Sequence, residues 1–290
     1  MTITKISAGR MRGNFVQSFG VEILYPGLTL TADDSGIGPI GRIDRAQVQP
    51  GHLIGMHPHK DDEILTYIRG GEMLHRDTVG NEKTLDKTHF MMMNAGHTFQ
   101  HEELMLGNSP VRALQIFLRP NAPDLEPMVQ FHDFVDESRD NEWRLIAGPQ
   151  EAPLTVRSDV SVFDARITRG FRLRLPAAAD SGTAFLLYVF DGAIDFGDVT
   201  ITTGESAFTR SFDHQLIASA GSDVVLFAFD PEAEVFRGGM FSGKKIRIGG
   251  TGDATFRTVA WRCERYVPPR LERNPQHSRQ LSAACSSAMH

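Results

Sequence analysis

Cysteine is nearly absent: Cys263 and Cys285 are the only two in 290 residues. That excludes a disulfide scaffold and a Cys-ligated zinc module, and it makes a reducing, cytoplasmic home the expectation. No apolar run reaches the roughly 18 residues that a membrane span needs. Met1–Gly20 lacks an apolar core segment, so no secretory leader is expected. Helical periodicity is scarce throughout. Neither charge sign dominates, with 30 Lys and Arg against 36 Asp and Glu. Hydrophobic residues at 41% are enough to build a sizeable core and exclude global disorder.

What remains reads as β structure. Short runs rich in β-branched and aromatic residues recur, such as Glu63–Arg69, Ala113–Leu118, Phe185–Phe190 and Val224–Phe229. Turn signals separate them, among them Gly70-Gly71, Gly80-Asn81, Asp191-Gly192 and Gly197-Asp198. Many short strands at this spacing predict an all-β sandwich or barrel. The run Tyr67–Asn81 is echoed by Tyr188–Ser206, a faint repeat of about 120 residues that predicts two tandem units of one architecture. Prolines 120, 123 and 127, followed by an acidic run at 136–142, place a linker near Pro120–Trp143. The expected division is 1–130, 144–235 and a C-terminal extension, 236–290. Ten Lys and Arg against three Asp and Glu make that extension basic, and its end, Leu281–His290, is expected to fray.

Seven of the eleven histidines lie between Gly51 and Glu103: His52, His57, His59, His75, His89, His97 and His101. In a strand, residues i and i+2 share a face. His57 and His59 therefore aim two imidazoles at one point, and His101 with Glu103 repeats the spacing with an imidazole and a carboxylate. Two such pairs on adjacent strands give a three-nitrogen, one-oxygen site with coordination positions left open. Such donors accept Fe, Ni, Mn, Zn or Cu. Gly51, His57, His59, Glu63 and Gly70 also satisfy the spacing G-x5-H-x-H-x3-E-x6-G, the first cupin motif.

HPHKDDEILTYIRGGEMLHRDTVGN followed by MMMNAGHTFQHEE resembles the N-terminal domain of the pirin family, closely over about Pro39–Pro120 and in outline beyond. The resemblance implies a bicupin: two tandem cupin-type β-barrels with few helices, the first holding one divalent ion, usually iron, and the second without metal. Carried over residue by residue, the ligands are His57, His59, His101 and Glu103. Glu63, the ligand position of many single-domain cupins, ranks second. The chain departs from the family at Lys60-Asp61-Asp62, where pirins carry R-G-F. It departs again at Asp86-Lys87-Thr88 in place of a P-G-D turn, at His97 and at Glu102. These changes fall on the pocket rim.

The resemblance implies an Fe(II)-dependent dioxygenase of the quercetin 2,3-dioxygenase type, acting on a flavonol- or catechol-like molecule with Glu103 taking or relaying a proton. Its alternative is a redox-sensitive regulator that binds a protein partner without turnover. No recognition helix or zinc finger is visible, so direct sequence-specific DNA reading is not expected, nor is a membrane partner. His97 and Glu102 are candidate rim groups. His214 reads as a structural histidine, and Met91–Met93 as core with one methionine toward the pocket. Gly238–Lys245 (GGMFSGKK) reads as a glycine-rich connection and not a phosphate-binding loop, because Lys245 stands where a hydroxyl is needed. Trp143, Trp261 and the two cysteines carry no assigned role.

Overall fold

The computed structural model describes residues 2–7, 10–135, 140–177, 182–211 and 213–244, with the backbone of Cys263–Arg265. In chain order the strands are β1 (Thr4–Ile6), β2 (Arg10–Gly13), β3 (Phe19–Leu24), β4 (Ile40–Val48), β5 (His52–His59), β6 (Glu63–Gly70), β7 (Glu72–Asp77), β8 (Glu82–Leu85), β9 (His89–Asn94), β10 (Phe99–Leu106), β11 (Val111–Leu118) and β12 (Met128–Asp133). There follow β13 (Arg144–Gly148), β14 (Leu154–Thr155), β15 (Val160–Ile167), β16 (Arg172–Arg174), β17 (Ala184–Asp191), β18 (Ala193–Phe196), β19 (Val199–Thr202), β20 (Ser206–Thr209), β21 (Gln215–Ala218), β22 (Ser222–Phe229) and β23 (Cys263–Arg265). One 3₁₀ turn, Pro26–Thr29, is the only helical element among the described residues.

Four sheets result. The first half of the chain builds β12-β9-β6-β11-β4-β3-β2 and, with the C-terminal β23 added beside β5, the five-stranded β23-β5-β10-β7-β8. The second half builds β1-β20-β17-β22-β15-β13-β14 and the four-stranded β16-β21-β18-β19. Each pair is a jelly roll of the cupin type, so the all-β bicupin architecture stands. β1 crosses over: the N-terminal strand pairs with β20 of the second half. The stretch read as a linker is partly a strand, because β12 pairs with β9 along six residues. Its alternation survives the prolines because they precede it. Most of the basic extension lies outside the described residues.

The longest apolar runs are strands buried on both faces. On β6, Ile64 and Ile68 point into the first jelly roll while Leu65 and Tyr67 point toward the second half. On β17, Phe185, Leu187 and Val189 fill the second jelly roll while Leu186, Tyr188 and Phe190 point back. The outward sets meet in one shared core that also holds Phe90, Met92, Ile116 and Phe227. Met91 and Met93 stay in the first interior.

Candidate metal centre

The first interior is not filled to its centre. A cavity of about 60 Å³ remains. Its walls follow strand alternation: Arg42, Asp44, Ala46 and Val48 from β4 face Val111, Ala113, Gln115 and Phe117 from β11. Thr66, Ala46 and Ala113 are small side chains on these walls, which leaves the space open. Met73 and Met105 line the cavity; none of Met91–Met93 does, because β9 commits them to the cores on either side.

His57, His59 and His101 converge beside this cavity. One ligand nitrogen from each lies within 4.8 Å of the other two, and all three residues are buried. The i, i+2 spacing of β5 aims His57 and His59 together, and antiparallel pairing sets His101 of β10 directly across from His57. The ring centroids of His57 and His101 are 4.2 Å apart, and those of His59 and His101 5.0 Å.

Most of the cluster's ring nitrogens lack a protein partner. Both ring nitrogens of His59 and both of His101 are buried without a hydrogen-bond partner. His57 Nδ1 lies 2.9 Å from Gly55 O, which directs Nε2 as the lone-pair nitrogen. Burial, reinforced by the neighbouring His59, pulls His57 down to about 4. Burial and the facing His57 and His59 hold His101 well below the usual imidazole range. Neutral imidazoles with unsatisfied lone pairs are costly unless a cation completes them. The donor set thus fits one borderline divalent ion.

Glu103 stands beside this group, buried on the same strand as His101. Its Oε1 accepts from Gln115 Nε2 at 2.9 Å and lies 3.7 Å from His101 Nδ1. A β-bulge between His101 and Glu103 shifts the register here. Burial pushes Glu103 up to about 7, with the Gln115 hydrogen bond partly offsetting it.

Other sequence candidates lie elsewhere. Glu63 is committed to Arg157 at 2.8 Å and to Asn94. Among the rim candidates, Glu102 meets Arg76 at 3.4 Å and His97 meets Glu126 at 3.7 Å, so both turn away from the cluster. His89 binds Asp86, and His52 stacks on Phe19. His214 packs edge-on to Phe196 in the second half.

Sequence reasoning did not assign three nearby groups. His75 stacks behind His101 with centroids 5.3 Å apart, and its Nε2 is held by Asp77 at 3.0 Å. Arg42 is chelated by Asp44 and lies over Phe117, 4.9 Å from the ring centre. Phe241 arrives from the far end of the chain. The alternation of Arg42 and Asp44 within an apolar strand was the signal available for that pair.

The pirin family model matches residues 38–118. A quercetin 2,3-dioxygenase of Escherichia coli K12 is 25% identical over 200 residues, covering 68% of this chain and 84% of that protein. Among solved structures, the bacterial pirin YhhW of Escherichia coli in complex with nickel(II) superposes with a TM-score of 0.66 at 22% identity, covering 79% of this chain and all of that one. A quercetin 2,3-dioxygenase from Acinetobacter baumannii gives 0.61 at 20% identity, over 79% of this chain and 86% of its own. With its histidines clustered inside the first of two jelly rolls, the chain has the fold of the bacterial pirin and matches the pirin family model over residues 38–118.

Proposed function

We propose that the protein is a mononuclear metal-dependent dioxygenase of the quercetin 2,3-dioxygenase type, with His57, His59, His101 and Glu103 as the ligand set and Fe(II) as the native ion. The observation that carries this reading is the trio of buried imidazoles that converge beside a cavity, with the ring nitrogens of His59 and His101 left without hydrogen-bond partners. The E. coli relative is named for this activity, and a pirin of the same fold was solved with nickel, both of which support it.

When bound, a divalent ion there would supply Lewis acidity toward a substrate oxygen and a redox centre for O₂. The chain supplies the rest. Neutral His57 and His101 keep their lone pairs available at physiological pH. Glu103 is a buried carboxylate next to the histidines and lining the cavity that can receive a proton from an enol or phenol, and Gln115 Nε2, donating to its Oε1, fixes its orientation. The cavity excludes water along walls such as Val48, Ile54, Met105 and Val111 and offers polar atoms at one level, on Asp44, Gln115 and Thr66. An aromatic body with an oxygen-bearing edge suits that division.

The test is O₂ consumption by iron-loaded protein given quercetin. Turnover that is lost in His59→Ala and in Glu103→Gln is the expected result. Full iron occupancy with no O₂ uptake on any flavonol or catechol would remove the dioxygenase reading.

A further inference from the structure

The glycine-rich stretch after the second half returns to the first. Met240 N–H donates to Lys60 O at 3.0 Å. The Asp62 carboxylate accepts from Phe241 N at 3.0 Å and Ser242 N at 2.8 Å, and buried Arg119 donates from Nε to Ser242 O at 2.8 Å. Gly41 and Gly239 permit the approach, since a Cβ on either would overlap Ser242. Asp62 stands where pirins carry the last residue of R-G-F, so the anchor belongs to a position at which this chain departs from the family pattern.

The result places one aromatic ring in the first jelly roll from outside it. The Phe241 ring centroid is 5.0 Å from that of His59 and 5.2 Å from that of Phe117, and the Arg42 guanidinium carbon lies 5.1 Å from its centre. Phe241 lines the cavity. It sits at the end where Arg42 pairs across from Phe117; the other end is closed by Phe19, Val48 and Val111. The strap is fixed by backbone hydrogen bonds, so the identity of the side chain at 241 is not needed to hold it.

We propose that Phe241 is a specificity-determining residue: the end wall, supplied by the C-terminal strap, that sets the length of the hydroxylated aromatic ligand admitted beside the histidine cluster. The inference rests on reading the cavity as the ligand site. Polar atoms for the ligand's oxygens lie next to this wall. Thr66 Oγ1 is buried without a partner, and the Arg42 hydrogen bonds to Asp44 engage Nε and Nη2, which leaves Nη1 to donate. A ring wall next to that polar level limits how far an aryl group extends past it.

The experiment measures calorimetric binding of catechol, with one ring, and quercetin, with an extended ring system, to the full-length nickel-loaded protein. Wild type is compared with Phe241→Ala and with the milder Phe241→Leu, which guards against a folding failure, and with Phe241→Trp as the opposite change. Expected is a rise in the quercetin-to-catechol affinity ratio of about tenfold or more in Phe241→Ala, the scale of a resized apolar pocket. Phe241→Leu should give a smaller rise and Phe241→Trp a fall, all at equal nickel stoichiometry. A ratio that is the same in every variant overturns the proposal, as does a failure of the opened variants to bind either probe. A shifted ratio without O₂ uptake would retire the dioxygenase and keep the wall; turnover with an unmoved ratio would do the reverse.

Discussion

The cluster is unusual at the scale of single side chains because most of its ring nitrogens are satisfied by nothing in the protein. Three imidazoles share one buried space, and four of their six nitrogens, both on His59 and both on His101, have no partner. Replacing His101 by Ala should lower nickel or iron affinity by well over about tenfold, since even the loss of an outer partner of a metal ligand typically costs about 10–100-fold. Metal analysis after dialysis reads this directly. The fold should survive, because the lost ring leaves an apolar Ala beside Phe99, which stacks on His101 with centroids 5.5 Å apart. His75→Ala should leave one equivalent of metal bound yet loosen it, because His75 packs behind His101 and is pinned by Asp77. A loss of stoichiometry in that variant would assign His75 a direct role. The convergence of His57, His59 and His101 was legible in the sequence because i, i+2 spacing on a strand is rigid and local. Arg42 and Phe241 were not. Their place depends on which strands become neighbours, and for Phe241 on a contact nearly 180 residues distant along the chain, from Asp62.

Among the elements, strands whose two faces are both apolar are where sequence and structure agree most fully, since continuous runs at 64–68, 113–118 and 185–190 can only be strands between two packed layers. Connections were read less well. Asp86-Lys87-Thr88 replaces the family's P-G-D turn, and the structure shows what it uses instead. Asp86 accepts from the backbone N–H of Thr88 and His89 at 2.7 and 3.0 Å and from Thr88 Oγ1 and His89 Nδ1, both at 2.8 Å. Burial opposes ionisation here, but these donors outweigh it and bring Asp86 down to about 2. A carboxylate with a depressed folded pKa adds stability that is complete above its ordinary value of 3.8 and is lost as pH falls from there through about 2. Asp86→Ala should therefore be less stable than wild type by about 1 kcal/mol at pH 7, a figure reduced for solvent screening. The gap should close as pH falls from 4 toward 2, which urea titrations at several pH values would show. A gap that stays constant with pH would mean that the turn does not depend on the charge. The strap follows the same logic at a different connection: a segment read as a plain glycine-rich link is held by a buried carboxylate, Asp62, together with Lys60 O and Arg119.

Taken whole, the molecule is held as one body by the core between its two jelly rolls and by buried polar pairs that cross it. Tyr67 of β6 donates to Asp164 of β15 at 3.1 Å, and Asp164 is also held by Arg144 at 2.6 Å. Glu63, fully buried at the start of β6, meets the Arg157 guanidinium and its backbone N–H at 2.8 and 3.0 Å. The residue that in many single-domain cupins serves as a ligand is thus used here to join the halves. Breaking such a pair from one side leaves an unpaired buried charge, at a cost of about 3–5 kcal/mol. Arg157→Met should be destabilised by that amount, whereas Glu63→Gln with Arg157→Met should regain much of it, because no charge is then stranded. The shared core implies further that the halves melt together. Calorimetry of the metal-free protein should show one transition, and Arg157→Met should lower its midpoint without splitting it. Two separate transitions, with only one moved by the substitution, would show that each jelly roll holds its fold without the other and that the Glu63–Arg157 pair merely decorates their boundary.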